Sequence, residues 1–176
     1  MNEIVKKNGI TFGIITGVIS ILITTLMYTI DLNLFTSVWV GLCLIAFYII
    51  IGVVLLSKTK KELGGVFSFK DAFTTYFISA VVGILISVVF NILLFNFIDP
   101  SAKDAIKELS IKSTVEMMEK FDAPSASINE TIKKLQESDQ FSTIEQLKGS
   151  VFSMIFSAVF GIILAAIFKS KPAYKE

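Results

Sequence analysis

The chain has no histidine and no arginine, and only one cysteine and three prolines in 176 residues. Each scarcity closes off some chemistry. With no histidine and Cys43 alone, neither a zinc site of the usual ligands nor an intrachain disulfide can form. Without arginine, the residue best suited to clamp a phosphate with two parallel hydrogen bonds is missing. All-lysine usage is also what AT-rich coding sequence would produce, so the choice of lysine need not be functional. The most consequential absence is local: four long runs contain no Asp, Glu or Lys.

What fills those runs is apolar. Hydrophobic residues make up 53% of the chain and the mean hydropathy is +0.74, more apolar surface than a soluble domain of this size can bury. A net charge of +1 excludes a general basic field for nucleic acid. The uncharged runs cover residues 9–30, 32–57, 72–98 and 149–168. A membrane-spanning helix needs about 20 residues, so each run suffices. Inside lipid every backbone N–H and C=O must be satisfied within the protein, which makes these runs helices.

The expected fold is therefore all-α. It is a four-helix transmembrane bundle forming a single integral membrane domain over residues 1–176. The spans lie at about 9–30, 34–57, 72–98 and 149–168, with a helical segment at 99–148 outside the membrane. The first run follows Lys6 and Lys7, as in a signal peptide. It is longer than a signal's apolar core, however, and no A-x-A-like site closes it, so it reads as a retained span. Cys43, within the second run, reads as a small buried hydrophobe.

Lysine placement gives a direction. The N-terminus, the connection near 57–71 and the C-terminal tail together carry nine lysines and four acids, a balance of +5. The remaining connections carry seven lysines and eleven acids, a balance of −4. Positive charge favours the cytoplasmic side, so both termini are expected in the cytoplasm, with the protein in the cytoplasmic (inner) membrane. Residues 31–33 form a tight turn between the first two spans.

The long acidic connection has its own pattern. Asp99-Pro100 is a helix start, with Ala102, Ile106, Leu109, Met117 and Phe121 on one broad apolar face. Ala123-Pro124 breaks that helix. Ser127-Ile128-Asn129-Glu130 and Ser142-Thr143-Ile144-Glu145 fit the capping-box pattern, and the second of these starts the helix that continues into the fourth span. Such a cap either covers the bundle or binds a partner or the lipid surface, and amphipathicity does not separate these outcomes.

Small residues recur every fourth position within the spans. Gly9, Gly13 and Gly17 mark the first. Ser79, Gly83 and Ser87 mark the third, and Gly149, Ser153, Ser157 and Gly161 the fourth. Residues four apart share a helix face, and small ones let two backbones approach closely. These faces are read as helix-packing surfaces, within the bundle or between copies of the chain. Asn91, continuing the series on the third span, is a possible intramembrane polar site. A buried amide needs partners, and interhelical hydrogen bonding is expected before solute contact.

No metalloprotease, nucleophile-elbow, phosphate-loop or dinucleotide pattern occurs, and no cofactor is implied. Without histidine, intramembrane hydrolysis would need a serine–lysine pair, and no lysine falls within the runs. Two readings remain. The first is a non-enzymatic structural, accessory or interaction component whose partners are the lipid bilayer and a second copy or another membrane protein. The second is a channel or transporter for a small neutral solute, with Asn91 and the small-residue faces along its path.

Several segments have a family look. Gly64-Gly65-Val66-Phe67-Ser68-Phe69-Lys70-Asp71-Ala72-Phe73 resembles a loop of the bacterial membrane-protein family called domain of unknown function 4199. The stretches 94–100, 117–124, 140–142 and 146–149, with Asn8-Gly9 and Gly13, are similar to it as well. The resemblance implies a four-helix inner-membrane protein. It implies no catalytic residues, since the family has no assigned activity.

Overall fold

Glycines and serines at two faces bring three of the long helices together in a row, in a computed structural model that describes residues 2–170. Helix α1 spans Glu3–Ile30, α2 Val38–Glu62 and α3 Phe69–Leu93. Helices α4 (Pro100–Lys120) and α5 (Ser125–Glu137) follow, and α6 spans Thr143–Phe168. Among the described residues there is no strand. Four helices are long and apolar enough to cross a membrane: α1, α2, α3 with the turn that extends it, and α6.

Local chemistry sets where each helix begins and ends. The Asn2 side chain accepts the Ile4 N–H, so α1 starts six residues ahead of the uncharged run, carrying Lys6 and Lys7 as part of the helix. The second span was expected from residue 34 but begins at Val38. Asp31 accepts the Asn33 N–H and folds Leu32–Phe35 into a 3-10 turn, and Ser37 then caps α2. At the far end of α2, Gly64 and Gly65 have φ of +70° and +87°, a left-handed pair that suits residues without Cβ. Ser68 accepts the Asp71 N–H and starts α3.

Helix α3 ends in a wide π-type turn at Leu94–Ile98, closed by the Asp99 N–H bonding the Leu94 carbonyl at 2.8 Å. Asp99 accepts the Ser101 and Ala102 N–H groups with Pro100 in the first position of α4, as Asp-Pro suggests. The start of α5 differs from expectation. It begins at Ser125 behind Pro124 with no side-chain cap, because the Ser127 N–H bonds the Pro124 carbonyl and lies within the first turn. The Ser142 cap does form, accepting the Glu145 N–H, and α6 runs on unbroken into the fourth span.

Both ends of the described chain and the α2–α3 loop share one end of the bundle, here the terminal end. There the Ser170 N–H bonds the Phe67 carbonyl at 2.8 Å, and the Phe67 N–H bonds Ser170 Oγ at 2.9 Å. Lys60 Nζ donates to the Phe168 carbonyl, covering the otherwise unpaired end of α6. Lys171 and Lys175, counted in the tail's charge, lie outside the described residues.

Helix α3 is the spine, with α1 along one side and α6 along another. Helix α2 packs most closely near the terminal end, where it buries Gly52, Leu55, Leu56 and Thr59, and nearer the cap it is at most half-buried. Two apolar cores result. One, at the terminal end, gathers Leu56, Phe67, Ala72, Leu164 and Ala165. The other, at the cap end, seats Ala102 and Ile106 of α4 on Leu94 and Phe95, with Tyr28, Phe35 and Phe141 around them. The cap thus folds onto the bundle through α4. Helix α5 packs on α4 through half-buried Ile128, Ile132 and Leu135. Met117 and Phe121, which share the apolar face of α4, are exposed, Met117 along a groove beside Val38 and Trp39.

Candidate functional site

The glycine series on α1 forms a seam that receives α3. A Cβ placed on Gly9 would lie 2.9 Å from Cβ of Ile78, and one on Gly13 only 2.6 Å from Cβ of Val82. One on Gly17 would lie 2.7 Å from Cβ of Ile86. Three glycines one turn apart thus accommodate a ridge of three β-branched residues, also one turn apart, at a separation no other residue permits. Gly83 meets Thr16 from the opposite direction, where an added Cβ would sit 2.5 Å from Oγ1. Since α3 of the same chain fills this face, α1 does not present its glycines to a second copy.

Toward the terminal end Tyr76 is wedged between helices. Added Cβ atoms on Gly52 and Gly161 would approach its ring to 2.6 Å and 2.9 Å. Gly52 was not singled out in the sequence, because its helix has no small-residue series. Gly149, which was, is exposed with open space beside it, and Ser150 is the buried residue of that turn. Its place in the series is a coincidence of spacing, since at that turn it lies on the face of α6 turned away from the bundle.

Ser153 and Ser157 of α6 do not close a helix pair. With Ser79, Gly83 and Ser87 of α3 they line a cavity of about 400 Å³ midway along the helices. Thr16, Ser20, Tyr48 and Tyr76 add further hydroxyls, and Phe152, Phe156 and Phe160 form an aromatic wall on α6. Ser20 and Ser87 hydrogen-bond each other at 2.8 Å across α1 and α3. No Asp, Glu or Lys reaches the lining. Tyr76 and the core beneath it close the terminal end. Toward the cap the gap between α2 and α6 opens on the bundle's flank, where Phe152 is 70% exposed.

Asn91 is not part of this cavity. Its Oδ1 is buried with no hydrogen-bond partner, and it supplies no bond between helices through that oxygen. Two other amides do. Asn96 Nδ2 donates to the Phe141 carbonyl at 2.9 Å, tying the π-type turn to the approach to α6. Asn8, only 3% exposed, donates to Thr59 Oγ1 at 3.2 Å and to Glu62 Oε2 at 2.7 Å, locking α1 to α2. Asn8 was noted in the sequence only as part of the family resemblance. Its partners lie 51 and 54 residues away, beyond the reach of any local pattern. Cys43, read as buried, is exposed on the flank of α2, in a stretch where that helix buries no residue.

At the cap end the Tyr28 hydroxyl donates to Asp99 Oδ2 at 2.7 Å. Hydrogen bonds from the Ser101 hydroxyl and then from Tyr28 hold the Asp99 carboxyl below the usual aspartate range, against a smaller opposing effect of burial. Lys103, 3.0 Å away, does the same for Asp139. These are structural ties. The groups that could contact a ligand without competing bonds are the cavity hydroxyls of Tyr76, Ser79, Ser153 and Ser157.

No curated protein and no solved structure matches the chain. A family model described as "Protein of unknown function (DUF4199)" matches residues 11–170, and this multi-pass chain of apolar helices belongs to that family.

Proposed function

We propose that the protein is a non-enzymatic accessory or interaction component of the cytoplasmic membrane, with both termini in the cytoplasm. One observation carries the reading: along the cap-end half of α2 no residue is buried, and an apolar face stands open. The helix buries nothing between Val38 and Ile51, and Trp39, Leu42 and Ile45 are exposed at 78%, 53% and 44%. Between helices in lipid, association comes from close van der Waals packing and shared hydrogen bonds. An apolar half-helix so lightly covered by its own bundle suits the span of another membrane protein. The lysine asymmetry supports the orientation.

A photoreactive residue at Leu42 tests the partner. Crosslinking in native membranes should give a discrete protein adduct at Leu42 and none at Ile163, an exposed position on α6. An adduct at twice the chain's mass would identify the partner as a second copy. Lipid labelling alone, equal at both positions, would overturn the reading. Orientation is tested with single cysteines at Ser113 and Ser68 in a Cys43→Ser background. An impermeant reagent on intact cells should mark the first and spare the second.

The alternative, a channel or transporter for a small neutral solute, draws support from the cavity. It is weakened by the Tyr76 plug between Gly52 and Gly161, and by the position of Asn91 outside the lining. Uptake of a neutral solute into vesicles containing the pure protein would favour it over the accessory reading.

A further inference from the structure

A cavity in a helical bundle is ordinarily a dry packing defect, and this one differs in its polar groups. Serine and threonine hydroxyls inside helices usually bond back to a carbonyl one turn earlier. Here Thr75, Ser110 and Thr114 do so. Among the described residues no hydrogen bond engages the side-chain hydroxyls of Ser79, Tyr76, Ser153 or Ser157, all of which line the cavity. Ser79 is 5% exposed. A hydroxyl left unpaired in an apolar medium is costly, and buried Ser79, half-buried Tyr76 and Ser157 and the more exposed Ser153 all border one space that could supply a partner.

The surroundings define that partner. No ionisable acid or lysine lines the space, so a charged group would be stranded there. The mouth lies between the cap-end halves of α2 and α6, at mid-length of helices that are apolar to either side. A ligand therefore comes from the bilayer. About 400 Å³ falls in the size class of small-molecule sites. Phe156 and Phe160, with ring centroids 5.0 Å apart, offer an apolar body an aromatic wall on α6 beside Ser153 and Ser157.

We propose that this cavity binds a neutral amphiphile from the bilayer, an apolar body bearing a hydroxyl or carbonyl group that pairs with Ser79, Tyr76, Ser153 and Ser157. The cavity borders the exposed stretch of α2 at Ile45 and Tyr48, but the unpaired hydroxyls lie on α3 and α6. It requires no partner protein, and either reading can fail without the other.

The test uses the full-length protein in lipid nanodiscs and a photoreactive sixteen-carbon alcohol. The probe should label residues around Ile45–Gly52 and Phe152–Phe160, about tenfold more than the matching photoreactive alkane, the ratio that one net hydrogen bond confers. Ser79→Ala with Ser157→Ala should bring alcohol labelling down to the alkane level while leaving thermal unfolding close to that of the unaltered protein. Ser157→Phe, which fills the space, should abolish labelling by both probes. Competition by monoolein would identify a glyceride as the source of the hydroxyl or carbonyl, and competition by decylubiquinone a quinone. Equal labelling by alcohol and alkane would overturn the proposal, as would equal labelling at Ile163. Should Ser157→Phe fail to fold, the double alanine variant decides alone, since it removes only the hydroxyls.

Discussion

Tyr28, near the last turn of α1, and Asp99, the residue that starts α4, are joined by a 2.7 Å hydrogen bond across 71 positions of sequence. One carboxylate therefore serves both as helix cap and as anchor, since Asp99 also accepts the Ser101 and Ala102 N–H groups. Tyr28→Phe should loosen the cap without unfolding the bundle, because it removes only this hydrogen bond. Hydrogen exchange in the first turn of α4 should quicken while that of α3 stays unchanged. Equal acceleration of both would show that cap and bundle open together.

The same carboxylate gives the cap a pH dependence. The folded carboxyls of Asp99 and Asp139 are held below the usual aspartate range. Their contribution to stability is thus complete above that range and is lost as the pH falls through the folded values. Cap protection should stay flat around neutrality and fall only in acid. Asp99→Asn should remove most of that acid step. A loss beginning near neutral pH would point to other groups.

The glycine seam makes a sharper prediction. Gly13→Leu should destabilise the fold by about 1–3 kcal/mol or more, because the side chain meets Val82 and the Ser79 carbonyl. Gly149→Ala, with open space beside it, should be neutral or raise stability by about 0.5–1 kcal/mol through helix propensity. Thermal unfolding in one detergent would rank the two. Similar losses from both would mean that α6 packs closely where it now stands free.

Two asparagines should behave in opposite ways. Asn8→Ala leaves Glu62 without its amide donor and should cost about 1–3 kcal/mol. Asn91→Leu removes a buried oxygen that has no partner and should raise stability by about 1 kcal/mol. Unfolding of each variant beside the parent protein checks both signs. Destabilisation by Asn91→Leu would indicate that its amide is engaged in the membrane.

The contrast shows what a sequence of this kind discloses. The spans were legible because the cost of burying charge in lipid acts residue by residue. Asp99-Pro100 and Ser142 were legible because a cap is a contact between near neighbours. Spacing also found the glycines of α1, but it could not separate a seam from a cavity. Four-residue periodicity places small side chains on one face, and only the neighbouring helix decides whether that face is filled. Gly13 meets Val82; Ser157, in an equivalent series, meets open space. Asn8 escaped for the converse reason, since its importance lies entirely in Thr59 and Glu62.

The Gly9–Gly13–Gly17 seam also has a consequence in time. It fits α3, although α2 is the helix made next and placed beside it by the turn at Leu32–Phe35. During synthesis the seam must stand vacant while the whole of α2 and the glycine loop emerge, several seconds at about 5–20 residues per second. A chain arrested after Glu62 should therefore expose a groove that the finished protein never shows. Crosslinking at Gly13 in such arrested chains would reveal whether lipid or an insertion factor fills it until Ile78, Val82 and Ile86 arrive.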